Sequence, residues 1–221
     1  DSNSVVVIPA LGGDVRAIST IMSPITHGLT GWALAHTAKL NRRERGLVTL
    51  AAIIPDADAA GVLVEKLTRH SAHPLLWWSQ YHHVLGHNAA FALLVAAVAF
   101  GLARQRWKHA GLALASFHLH LLADLVGARG PDGEQWPIFY LWPFTSDCAL
   151  TWSGQWALNA WPNFLLPAVL LSLACYLAWQ RGYSVLELIW PRLDGVFVGA
   201  LRRRFGPPVP PPTQTACPRS L

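Results

Sequence analysis

The sequence predicts an all-α protein, a polytopic membrane helical bundle of about five transmembrane helices. Three observations predict it. Only 13% of the 221 residues are charged and 52% are hydrophobic, whereas soluble domains carry about 25% charged residues. The apolar residues come in blocks: Val84–Ala103, His109–Gly127 and Phe164–Trp179 each approach the roughly 20 residues that cross a bilayer as helix. Lys and Arg also gather on alternate connections, as they do in membrane proteins of fixed orientation.

Asp1–Thr20 is mixed in character and lacks the basic start and apolar core of a signal peptide. The only methionine is Met22, so the native start is expected there and residues 1–21 are read as an extension. Ser23-Pro24 can open a helix, with Ser as cap and Pro in the first turn. That helix, apolar over Ile25–Ala38, is expected to run to about Lys39 and meet a basic stretch ending at Arg45. The second apolar segment, Gly46–Val64, is interrupted by Pro55-Asp56-Ala57-Asp58. Proline removes a helix hydrogen bond, so a break is expected there.

Residues 65–81 read as a polar, Trp-bearing connection. The third span is expected to start at the histidine cluster His82, His83 and His87 and to end at Arg104–Lys108. The fourth, His109–Gly127, carries His118, His120 and Asp124. Residues 128–160, rich in Gly, Pro and Trp, exceed the usual length of a structureless loop and are expected to fold over something. The fifth span is about Trp161–Gln180. Residues 182–205 mix apolar and basic groups like an interfacial helix, and the Pro-rich residues 206–221 read as a disordered tail. The organisation is thus an extension (1–21), a transmembrane domain (22–181), an interfacial segment (182–205) and a tail (206–221).

With five spans, one side receives Lys39, Arg42, Arg43, Arg45, Arg104, Arg106, Lys108 and everything after Arg181. The other side receives Arg16, Lys66, Arg69 and Arg129. The bias puts the N-terminus outside and the C-terminus in the cytoplasm. A formal charge of +5 suits a protein beside anionic lipid. No basic face interleaved with aromatics suggests nucleic acid as a partner, and Cys148, Cys175 and Cys217 have neither disulfide nor CxxC spacing.

This topology brings several ionisable side chains to the outer ends of their spans. They are His27 on the first span, Asp56 and Asp58 on the second, the histidine cluster on the third, and His120 and Asp124 on the fourth. His120 and Asp124 are four apart, share a helix face and can grip one ion. His118 points away and reads as an interhelical histidine; His36 reads as structural, and His70, His73 and His109 as solvated. Unpaired carboxylates at membrane depth are costly, but bound to a divalent cation they are compensated. Imidazole and carboxylate donors without thiolates suit zinc first, with manganese or iron(II) next. About six donors exceed what one catalytic zinc needs, which favours two metals with a bridging Asp. Such a centre activates water and clamps the oxygens of a phosphoester.

The ordered set His27-x3-Gly31, Pro55-Asp56-x-Asp58, His82-x4-His87, His120-x3-Asp124 and Leu141-Trp142-Pro143-Phe144 resembles the YdjM-like family of bacterial inner-membrane, metal-dependent hydrolases. Its third motif reads His-Arg-Gly-x-Thr-His-Ser; here His82-His83-Val84-Leu85-Gly86-His87-Asn88 keeps both histidines and loses Arg, Gly and Thr. The ligand order is distantly similar to that of zinc-dependent phospholipase C. The resemblance implies a multi-pass inner-membrane hydrolase of an ester or phosphoester, with membrane lipid among its candidate substrates.

The expected metal ligands are His27, Asp56, Asp58, His82, His87, His120 and Asp124, with Asp56, Asp58 and His87 closest to the chemistry. Whether His83 replaces His82 stays open, as does the oligomeric state. Asp132 and Glu134 read as solvated loop residues, and Trp136, Trp142, Trp152 and Trp156 as an interfacial belt or lipid-binding lip. The rival reading is a non-enzymatic membrane protein that binds or transports metal.

Overall fold

The computed structural model describes residues 24–130 and 133–208. The 1–21 extension, the Met22 start, the Ser23 cap, Asp132 and residues 209–221 of the tail lie outside the described residues. The described residues fall into two compact units, divided between Leu171 and Ser172.

In the first unit the helices are α1 (Pro24–Ala35), α2 (Arg42–Ala51), α3 (Gly61–Thr68), α4 (Trp77–Tyr81), α5 (Ala89–Leu102) and α6 (Arg106–Gly127). A 3-10 turn, Ile54–Ala60, joins α2 to α3. The structure is mostly helical, but the 128–160 connection adds a small hairpin, β1 (Ile138–Phe139) paired antiparallel with β2 (Ala149–Leu150). α7 (Pro162–Arg181) runs from the first unit into the second. There a 3-10 turn (Val185–Leu188) leads to α8 (Pro191–Phe205).

Among the described residues two helices, α6 and α7, are long and apolar enough to cross a membrane, or three if α2 and the following Ile54–Thr68 make one broken span bent by 57°. α5 is apolar but only 14 residues long. Its outward Leu93, Leu94 and Val98 are exposed, as are Phe164, Leu165 and Val169 on α7. Contiguous exposed apolar surface of this kind is what lipid covers.

Several helix limits differ from the sequence expectation, each for a local reason. α1 stops at Ala35, where the His36 and Thr37 side chains bond back to the Trp32 and Leu34 carbonyls. α2 begins at Arg42 because Asn41 and Glu44 form a reciprocal capping box. The histidine cluster is not helical. Asn88 caps α5 by accepting from the Phe91 N–H at 2.8 Å, so the helix starts one residue later.

α1, α2 and α6 pack closely because small residues line their contacts. A Cβ on Gly31 would lie 2.7 Å from Ala52 Cβ and 2.9 Å from Ser116 Oγ, so α1 reaches its neighbours only with glycine there. Ser116 Oγ in turn donates to the Val48 carbonyl at 2.7 Å, tying α6 to α2. Ala92, Phe117, Leu121 and Ile138 form an apolar core between α5, α6 and the hairpin.

His109, expected to be solvated, is buried at the start of α6, with Nε2 3.4 Å from Glu44 Oε2. The expectation failed because His109 lies next to basic residues in sequence while its acidic partner is 65 positions away. His70 and His73 are exposed. His118 is satisfied by the Leu114 carbonyl and the Tyr140 hydroxyl.

Candidate metal centre

The centre starts from the break after α2. Pro55 has no N–H, and the Asp56 N–H bonds to Ile53 O in a 3-10 turn. In an unbroken helix that N–H would take the Ala52 carbonyl. Released from the helix, Ala52 O instead meets His120 Nδ1 at 2.7 Å. The carbonyl only accepts, so Nδ1 carries the proton and Nε2 turns a lone pair into the interior.

That lone pair enters a tight group. Asp56, His87, His120 and Asp124 each contribute one donor atom, all within 4.8 Å of one another. His120 Nε2 lies 2.9 Å from Asp124 Oδ2, 3.1 Å from His87 Nε2 and 3.5 Å from Asp56 Oδ1. His87 Nε2 is 3.4 Å from Asp124 Oδ2 and 3.7 Å from Asp56 Oδ1. Nitrogen and oxygen ligands sit roughly 2.0–2.2 Å from a tetrahedral zinc, so their mutual separations are about 3.3–3.6 Å. The five measured separations cluster around that range. His87 and His120 are fully buried, and Asp124 nearly so.

Asp58 stands beside this group. It accepts from His87 Nδ1 at 3.3 Å, from His82 Nδ1 at 2.8 Å and from the Gly86 N–H at 3.1 Å. Its bond to Nδ1 leaves His87 Nε2 as the free donor, the usual carboxylate–histidine support of a metal ligand. The Gly86 contact requires glycine, since a Cβ there would overlap the Pro55 carbonyl. Asp58 and Gly86 thus fasten the histidine loop to the break in the helix.

His27 adjoins both Asp124 and His120. Its Nε2 is 3.4 Å from Asp124 Oδ1, and its ring sits 3.8 Å from that of His120. Asp124 therefore presents one oxygen to His27 and the other to the four-atom group. His27 Nε2, Asp56 Oδ2, His82 Nε2 and Asp124 Oδ2 are buried with no hydrogen-bond partner. Buried polar atoms without partners cost about 1–3 kcal/mol each, so a cluster of them marks a place where a further group binds. Buried nitrogen and carboxylate donors aimed at one point fit a divalent cation.

All seven candidate residues thus meet in one region. Asp56, His87, His120 and Asp124 converge, His27 adjoins Asp124, and Asp58 and His82 form the adjacent layer. His83 is buried between His82 and Trp136, with ring separations of 4.2 and 5.3 Å. Burial holds its pKa well below the usual histidine value. Its φ of 66° is the left-handed conformation, adopted by no other non-glycine among the described residues.

Some neighbours were not singled out from sequence. Trp78 stacks on His82 at 3.8 Å. Gln155, buried in the long connection, donates to the Asp124 carbonyl at 2.9 Å and accepts from the Trp136 N–H at 3.3 Å. Asn163 donates to the Gly127 carbonyl at 2.8 Å. The connection therefore folds over the end of α6 that carries the centre. Glu134 is exposed, as a solvated loop residue should be.

The family model of the YdjM inner membrane protein matches residues 22–203. The chain belongs to the YdjM inner membrane protein family. The YdjM match takes in every residue of the centre and both long apolar helices. No curated protein and no solved structure matches the chain.

Proposed function

We propose that this YdjM-family protein is a membrane-embedded, metal-dependent hydrolase, cleaving an ester or phosphoester bond and acting on a membrane lipid. The observation that supports the reading is the donor surplus around Asp124. Asp56, His87, His120 and Asp124 alone suffice for a closed four-coordinate site. His27 Nε2 against the second oxygen of Asp124 goes beyond that need. A shared carboxylate with further donors on either side suits two cations rather than one.

In this reading His87, His120, Asp56 and Asp124 would hold one cation, and Asp124 and His27 would help to hold the second. Zinc is the first choice, manganese or iron(II) the next. A divalent cation bound there would supply an acidified water and positive charge beside the ester oxygens. Ala52 O and Asp58 keep the His120 and His87 rings in the tautomer that donates through Nε2. His82, with Nε2 buried and unpartnered, stands next to that layer and can donate to substrate or accept from it. The Trp78 and Trp136 rings beside it limit access of bulk water.

The finer topology belongs to the same proposal. Five spans would place the centre at the periplasmic side of the inner membrane and the C-terminus in the cytoplasm, as the Lys and Arg bias favours. Short α1 and α5 can count as spans where the bilayer thins around them.

A metal transporter is favoured by one observation, the buried Glu44–His109 pair. His109 and His120 are eleven residues apart, three turns along one face of α6. The hydroxyls in between are engaged, Ser116 with Val48 O and Thr49 with Arg45 O, and these leave no string of open donors for an ion. Hydrolysis therefore ranks first.

The test is a screen of purified protein against phospholipid, phosphodiester and carboxylic ester substrates, with and without zinc or manganese. Metal-dependent turnover that disappears in His27→Ala supports the reading. Metal-dependent flux across proteoliposomes with no hydrolysis of any substrate class rejects it in favour of transport.

A further inference from the structure

In the second unit, the polarity of α8 is turned inside out. Its buried residues include Asp194 as well as Val198. Leu193, Val196 and Ala200 are exposed. These three recur at intervals of three and four, so they form one stripe along the helix. The stripe continues upstream into Ile189 and Trp190, exposed at 82% and 61%. A helix packed for water would turn this stripe inward.

Specific contacts fix that orientation. Asp194 Oδ1 accepts from both the N–H and the hydroxyl of Ser184, each at 2.6 Å. At the other end Arg202 Nε donates to the Trp179 carbonyl at 3.2 Å, and Trp179 Nε1 donates to Gly206 O at 2.6 Å. With both ends tied, α8 cannot roll its apolar stripe inward without breaking them.

The charges follow the same division. Both acids among the described residues of this unit, Glu187 and Asp194, are buried. Arg181, Arg192, Arg203 and Arg204 are exposed. Arg192 and Arg203 are eleven apart and so share a flank of the apolar stripe, while Arg204 lies at its end. The outward surface is therefore apolar in the middle and cationic at its border.

We propose that the outer face of α8 lies in the lipid interface and selects anionic phospholipid through Arg192, Arg203 and Arg204. An apolar stripe seats among the acyl chains, and flanking arginines reach back to the headgroups. Anionic headgroups supply the charge that the buried acids withhold from this surface. The proposal does not depend on hydrolysis or on a bound metal.

The experiment uses the full chain with Cys148, Cys175 and Cys217 changed to Ser and a spin label at Val196→Cys. It is reconstituted into vesicles of phosphatidylcholine alone or of phosphatidylcholine with phosphatidylglycerol. The label should collide with oxygen more than with a water-soluble nickel complex, and phosphatidylglycerol should increase that preference. The increase should be lost in R203Q/R204Q, be kept in R203K/R204K and weaken in high salt. A label open to nickel in both lipids overturns the proposal. So does a label shielded from both reagents, which would place protein against this face, and so does an unchanged lipid response in R203Q/R204Q.

Discussion

His120 Nδ1 lies 2.7 Å from the carbonyl oxygen of Ala52, a carbonyl left open because the backbone passes to i−3 bonds from Ala52 onward and the Asp56 N–H takes Ile53 O instead. One backbone break thereby sets the tautomer of a buried imidazole 68 residues away. Restoring the helix should undo this. Pro55→Ala lets the Asp56 N–H compete for the Ala52 carbonyl, and His120 loses its fixed orientation. Metal affinity should fall by about 10–100-fold, the usual cost of losing support behind a ligand. Competition with a fluorescent zinc chelator measures it; undiminished affinity would show that the break does not govern His120.

Asp58 offers a second handle on the same centre. It touches His82, His87 and Gly86 but stands outside the four converging donors. Asp58→Asn keeps the shape and removes the charge that supports His87. Affinity should drop about 10–100-fold while some metal still binds. Complete loss of metal would make Asp58 a direct ligand instead.

Gly86 is the steric counterpart of Asp58. A Cβ there runs into the Pro55 carbonyl, and a backbone wall cannot swing aside as a flexible side chain can. Gly86→Ala should destabilise the protein by about 1–3 kcal/mol and displace His87. A lowered melting temperature in detergent together with reduced metal content is the expected pair of results. Wild-type values for both would mean that the loop does not press against the break.

His83 carries a backbone test. Its φ of 66° is tolerated by Asn and resisted by β-branched residues. His83→Val should therefore be less stable than His83→Asn by about 1–2 kcal/mol. Equal melting temperatures for the two variants would contradict this conformation.

Much of the centre was legible because its signals were local. The four-residue spacing of His120 and Asp124, the Pro-Asp-x-Asp break and the His82-x4-His87 pair each stand in a short stretch. Their roles were less legible, because a histidine's free nitrogen depends on what its other nitrogen meets. Asp58 bonds across 24 to 29 positions, and Gln155 reaches Asp124 across 31. The Glu44–His109 pair was hidden for the same reason, although Asn41-x-x-Glu44 carries a capping signature that sequence could have revealed. Helix ends suffered most: an Asn before an apolar run is a start signal, and it places α5 after the histidines rather than through them.

Metal binding itself should depend on pH with a definite sign. His87 and His120 must present unprotonated Nε2 atoms, so protons compete with the cation. Affinity should rise as pH increases through the imidazole range and fall as it decreases. Chelator competition across that range checks the slope; affinity independent of pH would argue against imidazole ligands.

The most direct measurement is the metal content of protein purified without chelators, by plasma mass spectrometry, for the wild type and a His120→Ala/Asp124→Ala variant. The wild type should hold about one to two transition-metal ions per chain, and the variant should lose them while keeping its helical content. A wild type that is metal-free and takes up neither zinc nor manganese on addition would contradict the assignment of Asp56, His87, His120 and Asp124 as a metal centre.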